Sequence, residues 1–242
     1  MCLRLSFLLV LGFTFLSLPG QRGPGIETNH GSWNYFSQDH IFHIHVDTTL
    51  VERREDYDVT DYAIPQIDIL SRNPIRYIQS IFPAEAHSIS TVYDSSLAIK
   101  IVDANFDGFL DLEVRDTPMM YLSTSHYWLY NPKTEMFLAD TFLADLTDIT
   151  YMPEQGLVHS YYHIGPNEFG HSLWEWQDGL LKCVARETVA TWVGEGEDIG
   201  YSLEIADGEQ FREIDLPCPY EYDIPRGEEM ALHRRYLKYK SP

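Results

Sequence analysis

A chain of 242 residues, 44% hydrophobic and 14% aromatic, has enough apolar material for one large all-β core or two ordinary ones. Its formal charge of −20 argues against nucleic acid as a partner, because phosphate binding needs basic patches that displace counterions. The same charge favours a basic protein partner, whose encounter it would speed electrostatically.

In chain order, Arg4 supplies a short positive region and residues 5–18 are almost wholly apolar before Pro19 and Gly20 break the run. That layout predicts a secretory signal peptide over 1–20, too short for a comfortable membrane span, and hence a periplasmic or secreted protein with no transmembrane segment in the mature chain. Residues 21–36 read as a flexible lead, with a single domain over 37–242. Removing the signal leaves two cysteines, Cys183 and Cys218, and an even pair in an oxidising compartment invites a disulfide that sequence alone leaves open.

From His40 the chain alternates, with Phe42, Ile44 and Val46 on one strand face and His43 and His45 on the other. Two histidines at that spacing suit zinc, but no Cys or carboxylate stands in a matching position nearby, and a solvated strand face is the better account. Residues 50–61 are charge-rich and read as a strand edge or loop. Residues 64–70 and 75–82 pair as a hairpin around Ser71-Arg72-Asn73-Pro74.

The strongest signal spans 98–115, centred on Asp103-x-Asn105-x-Asp107-Gly108-Phe109-x-Asp111. Alternate short oxygen side chains share one face of an extended chain, and Gly108 permits the φ > 0 turn that folds the loop back. Three carboxylates, a carboxamide and the Phe109 carbonyl make a hard-oxygen set suited to Ca²⁺. An EF-hand would place a Glu at the twelfth position, which is Val114, and a helix on each side; the flanks here are strand-like. The pattern resembles the strand–loop–strand calcium sites of FG-GAP and integrin-type propeller repeats. The alternative is a solvated hairpin without metal.

Two aromatic strand–turn–strand units follow: 126–130 and 135–139 around Asn131-Pro132-Lys133-Thr134, then 171–176 and 180–185 around Gln177-Asp178-Gly179. Their likeness predicts an all-β, β-propeller-like array of small antiparallel sheets. Between them, a Gly/Pro-framed loop carries Pro166, Asn167, Glu168 and Phe169, a candidate partner-binding segment in which Pro166 limits the entropy lost on docking. Further strands are predicted at 189–193, 201–206 and 211–215, and one helix at 228–238. No nucleophile elbow, phosphate-cradling loop or His-Glu-x-x-His helix occurs, so the chain reads as a non-enzyme.

The Asp103–Asp111 loop, the Tyr127-Trp128-Leu129-Tyr130-Asn131-Pro132-Lys133-Thr134 segment and residues 172–181 together resemble a family of bacterial exported calcium-binding proteins. That family includes the immunity protein of a type IV secreted lysozyme-like effector, and is similar in architecture to periplasmic lysozyme inhibitors. The resemblance covers about residues 65–185. It implies a propeller-like fold and calcium at Asp103, Asn105, Asp107 and Asp111. Inhibitors of the related kind use a Ser-Gly-x-x-Tyr loop, which residues 160–170 lack. The reading is an exported calcium-binding protein that sterically blocks a cell-wall hydrolase or secreted toxin. An adhesion or carbohydrate-binding module and a hydrolase of unknown type are the alternatives.

Overall fold

The computed structural model describes residues 28–53, 58–83, 89–91, 99–115, 123–165, 168–191, 199–219 and 229–240. The expected signal peptide, Pro166 and Asn167 lie outside the described residues. The chain separates into two compact units, Met1–Val92 and Tyr93–Pro242, where the sequence reading had one domain over 37–242.

In the first unit, β1 (Thr28–Phe36), β2 (His40–Arg53), β3 (Asp58–Arg72) and β4 (Ile75–Ile81) form an antiparallel meander, and β5 (Ile89–Thr91) also pairs with β3. The alternation read from sequence holds. Phe42 and Ile44 are wholly buried and Val46 nearly so, against Ile67 and Ile69 of β3. On the opposite face His45 bonds Asp68 at 2.8 Å and His43 bonds Asn34 at 2.8 Å, so these histidines serve the sheet. One expectation is corrected. Residues 28–36, read as part of a flexible lead, are β1, registered along its length on β2. The charged stretch 50–61, read as a strand edge or loop, supplies strand ends: residues 50–53 close β2 and 58–61 open β3, because cross-strand pairing satisfies a polar strand as well as an apolar one.

The second unit holds two sheets. β6 (Ile99–Val102), β7 (Asp111–Arg115), β8 (Ser125–Asn131) and β9 (Met136–Asp140) make a four-stranded meander of the kind that forms a propeller blade. β10 (Thr150–Met152), β11 (Leu157–Gly165), β12 (Glu168–Gln177), β13 (Leu180–Thr191), β14 (Ile199–Asp207) and β15 (Gln210–Ile214) make a six-stranded one. The two aromatic hairpins are β8–β9 and β12–β13. The second turns at Asp178 and Gly179, both at positive φ (54° and 78°), as a tight hairpin demands. An unforeseen helical turn, α1 (Thr141–Ala144), follows β9. Asp140 caps it by accepting the Leu143 N–H at 2.8 Å. The expected C-terminal helix is α2 (Glu229–Tyr239).

Both faces of the six-stranded sheet are covered. One packs Leu173, Ala185, Leu203 and Ile205 against Leu232 and Tyr236 of α2. The other sends Val158, Leu181 and Trp176 into a cluster with Ala104, Tyr127 and Leu143. Trp176 Nε1 also donates to the Ala104 carbonyl at 3.1 Å, locking the base of the Asp-rich loop to this sheet. The fold is therefore all-β, built of three antiparallel sheets with a short C-terminal helix.

Candidate functional site

The Asp-rich loop bridges β6 and β7, with Val102 paired to Asp111 at its neck. Phe106 and Gly108 both take positive φ (59° and 88°), which turns the chain back on itself as Gly108 foretold. The loop curls onto Asp103: its Oδ1 accepts the Asp107 N–H at 3.1 Å and its Oδ2 the Gly108 N–H at 2.9 Å. Asn105 Oδ1 accepts the Asp107 N–H at 3.1 Å, and Asp107 Oδ1 accepts the Phe109 N–H at 2.9 Å. Asp107 Oδ2 takes the Asn105 amide at 3.0 Å. Phe109 is exposed at the tip, with its ring 5.7 Å from that of Tyr130.

Asp111 is wholly buried at the neck, where it accepts the Ala104 N–H at 2.8 Å and the Tyr130 N–H at 2.7 Å. Burial pushes its carboxyl up to about 7; the two backbone donors oppose this, and the charges of Asp107 and Asp103 add to it. The carboxylates that the sequence placed on one face are thus close enough to be felt electrostatically.

Among the described residues no three His, Cys, Asp or Glu side chains are gathered into a ready metal cage. Each loop carboxylate is instead turned onto an N–H. The donor chemistry nevertheless suits a hard cation. All side-chain donors are oxygens, and an ionised carboxylate has about four lone-pair positions, of which these N–H bonds use two each on Asp103 and Asp111.

The candidate partner-binding residues fall at the other end of the second unit. Glu168 and Phe169 open β12, and Phe169 is half-buried with its ring stacked on His163 at 4.3 Å and 14°. Phe169 is therefore held by its cross-strand neighbour, a geometry that two strand-end aromatics on one face permit. Cys183 and Cys218 are not bridged: Cys183 bonds the Ala185 carbonyl at 3.5 Å, and burial pushes its thiol up to about 11.

Sequence reading missed what continues from the loop along β7. Asp111, Glu113 and Arg115 alternate, so their side chains share a face, and that face is buried as far as Glu113, 3% exposed. Glu113 accepts from Ser125 at 3.1 Å and from Tyr151 at 3.4 Å, with Arg115 Nε 3.4 Å and Lys100 Nζ 3.8 Å away. The Asp-Leu-Glu-Val-Arg alternation was the available signal. Two buried histidines, His159 and His171, carried no local signal at all.

No protein-family model matches the chain, and none of the curated proteins matches it. The chain is similar in fold to a solved structure. That structure is described as a Xanthomonas type IV secretion system related protein, and it matches with TM-score 0.52 and 12% identity over 77% of this chain and 94% of that one. At such identity the likeness establishes the fold. Among the described residues no helix is long and apolar enough to cross a membrane.

Proposed function

We propose that this is an exported calcium-binding protein that acts by docking on a protein partner, a cell-wall hydrolase or secreted toxin, and blocking it without making or breaking a bond. The observation that carries the reading is the oxygen-only loop curled around Asp103 and rooted at the buried Asp111. Asp103, Asn105, Asp107, Asp111 and the Phe109 carbonyl would hold the ion, which supplies positive charge to a loop carrying three carboxylates. The similar structure's description as secretion-system related supports an exported setting, and the net charge of −20 suits a basic target.

Calcium that binds only the native state raises stability by about 2.7 kcal/mol at a hundredfold excess over Kd, which for a chain of this size is on the order of 5–10 °C in Tm. Melting is therefore expected to rise with calcium and fall with chelator, and Asp107→Ala to erase most of the difference. The increment should shrink as pH falls below about 7, because Asp111 then holds a proton that competes with the cation. Identical melting curves in calcium and in chelator at neutral pH would refute the calcium site.

The partner surface is proposed at the β11–β12 end, with Glu168 and the stacked Phe169, which follow Pro166 and Asn167 in the sequence. Truncating a ring anchor costs ~2 kcal/mol or more of binding. Glu168→Ala combined with Phe169→Ala is expected to weaken the complex with the co-purified partner at least about tenfold while the calcium-dependent melting shift persists. A double variant that binds as tightly as the parent would move the interface elsewhere.

A further inference from the structure

The strands that end each sheet differ in how their free edges are protected. An edge strand offers a row of unpaired N–H and carbonyl groups to other chains, and proteins blunt it by keeping it short or by placing charge or proline on it. Among the described residues, β5 and β10 are three residues long, β4 carries Arg76, β6 Lys100, β9 Asp140, and β15 Arg212 and Glu213. β1 has none of these devices. It runs nine residues, Thr28–Phe36, without an Asp, Glu, Lys, Arg or Pro. It is registered on β2 from end to end and pairs with no other described strand.

The edge is also accessible. Gly31, Asn34 and Phe36 are exposed, and because a glycine has no side chain, the exposed surface of Gly31 is backbone. Apart from its neighbours in the chain, no heavy atom lies within 4 Å of the place that a Cβ on Gly31 would take. An edge glycine of this kind leaves a gap that an aromatic side chain on a paired strand can cover.

A second copy of β1 has the matching shape. Ser32 is the middle residue of the nine, so an antiparallel pair about a twofold axis at Ser32 is the register that joins the strand along its full length. That register sets Gly31 of each copy directly opposite Trp33 of the other. Directly opposed residues share a face, so each indole stands beside the open space at a glycine. Charge points to the same occupant. Two chains of −20 repel, and a seam between them holds where neither brings carboxylates to it, as along β1. A basic partner strand would find no acidic residue on β1 to recognise.

We propose that β1 is a self-association edge, at which two copies of this chain pair β1 to β1, antiparallel about Ser32, and join their sheets across the seam. The proposal rests on neither the calcium reading nor the hydrolase reading.

Size-exclusion chromatography of the full chain with light scattering is expected to give twice the chain mass, with a dimer Kd on the order of micromolar. Ser32→Lys sets two ammonium groups face to face at the axis and is expected to weaken the dimer at least about tenfold. The register is tested by disulfide trapping in a chain whose own cysteines are replaced (Cys2→Ser, Cys183→Ser, Cys218→Ser). Ser32→Cys in that background is expected to oxidise to a covalent dimer, because the two new thiols are directly opposed. Asn34→Cys is expected to stay monomeric on a denaturing gel. Its two copies lie four residues out of register, roughly 14 Å apart, beyond the reach of a disulfide. The trapping pair decides the matter if Ser32→Lys does not fold. A parent that is monomeric well above micromolar concentration would overturn the proposal. So would a dimer that Ser32→Lys leaves intact, or trapping at residue 34 as efficient as at residue 32.

Discussion

Arg235→Ala is expected to lower the melting temperature by on the order of 10 °C, from a loss of about 3–5 kcal/mol. Glu187 of β13 is wholly buried, and Arg235 of α2 donates Nη2 to its Oε1 at 2.6 Å, with Tyr201 giving a second bond to Oε2 at 3.0 Å. Removing the guanidinium leaves a carboxylate facing the interior with a phenol in place of a cation. The penalty for an uncompensated buried charge exceeds the worth of an exposed ion pair several times over. The same bond pins α2 over the apolar face formed by Leu173, Leu203 and Ile205, so part of the cost is packing lost when the helix loosens. Arg235→Met combined with Glu187→Leu should recover most of the loss, because an apolar pair of similar size carries no desolvation penalty. Thermal melts of the two variants check both statements. A fall of only a degree or two for Arg235→Ala would show that water reaches Glu187 and that the pair is ordinary.

Gly170→Ala is expected to cost about 1–3 kcal/mol or more, measured as a lower midpoint in urea. Gly170 pairs directly with Tyr162 on one side and Thr188 on the other, in the interior of the six-stranded sheet. A methyl group there would overlap the Tyr162 ring at Cζ and the hydroxyl, and would come within 2.6 Å of the Glu187 carbonyl. The ring cannot simply swing away, since Tyr162 OH is hydrogen-bonded to Thr188 Oγ1. Moving the backbone would stretch ladders on both sides. This glycine is required by the close approach of a side chain across the strand, and its φ places no demand on it. Adding Tyr162→Ala should relieve the ring overlap but leave the clash with the Glu187 carbonyl, so the double variant is expected to recover only in part. An unchanged midpoint for Gly170→Ala alone would mean that the ring does not lie over the glycine.

Local order set several features without help from the rest of the chain. A strand puts alternate side chains on opposite faces, so Phe42-x-Ile44-x-Val46 already implied a buried face and an exposed pair of histidines. Asp178-Gly179 between two apolar runs implied a tight hairpin, because few residue pairs tolerate two consecutive positive φ angles. Gly108 and the spacing of its acidic neighbours implied a loop that turns back between two strands, and it does. The same locality explains two errors. β1 carries Asn29, Gly31, Ser32 and Asn34, a polar composition that looks like a lead until β2 supplies a partner for its N–H and carbonyl groups. α1 has too few residues for any periodicity, and the bonds from Leu143 N–H to Asp140 and from Asp145 N–H to the Thr141 carbonyl reveal it.

What tertiary structure alone decided is every arrangement whose members lie far apart along the chain. Nothing near Glu187 announces Arg235, 48 positions later; the pair exists because α2 returns across β13. His159 meets His171 only because β11 and β12 are registered Tyr161 to His171, and one residue of slip would turn one ring away from the other. Cys183 and Cys218 are even in number and stay unbridged, since a disulfide depends on Cα separation and side-chain direction that composition does not carry. The loop acids were countable in sequence. Which backbone N–H each would hold, and the burial that raises Asp111, came from the neck of β6 and β7 and from the Tyr130 amide of the next strand, because hydrogen bonds and desolvation are set by what packs around a group.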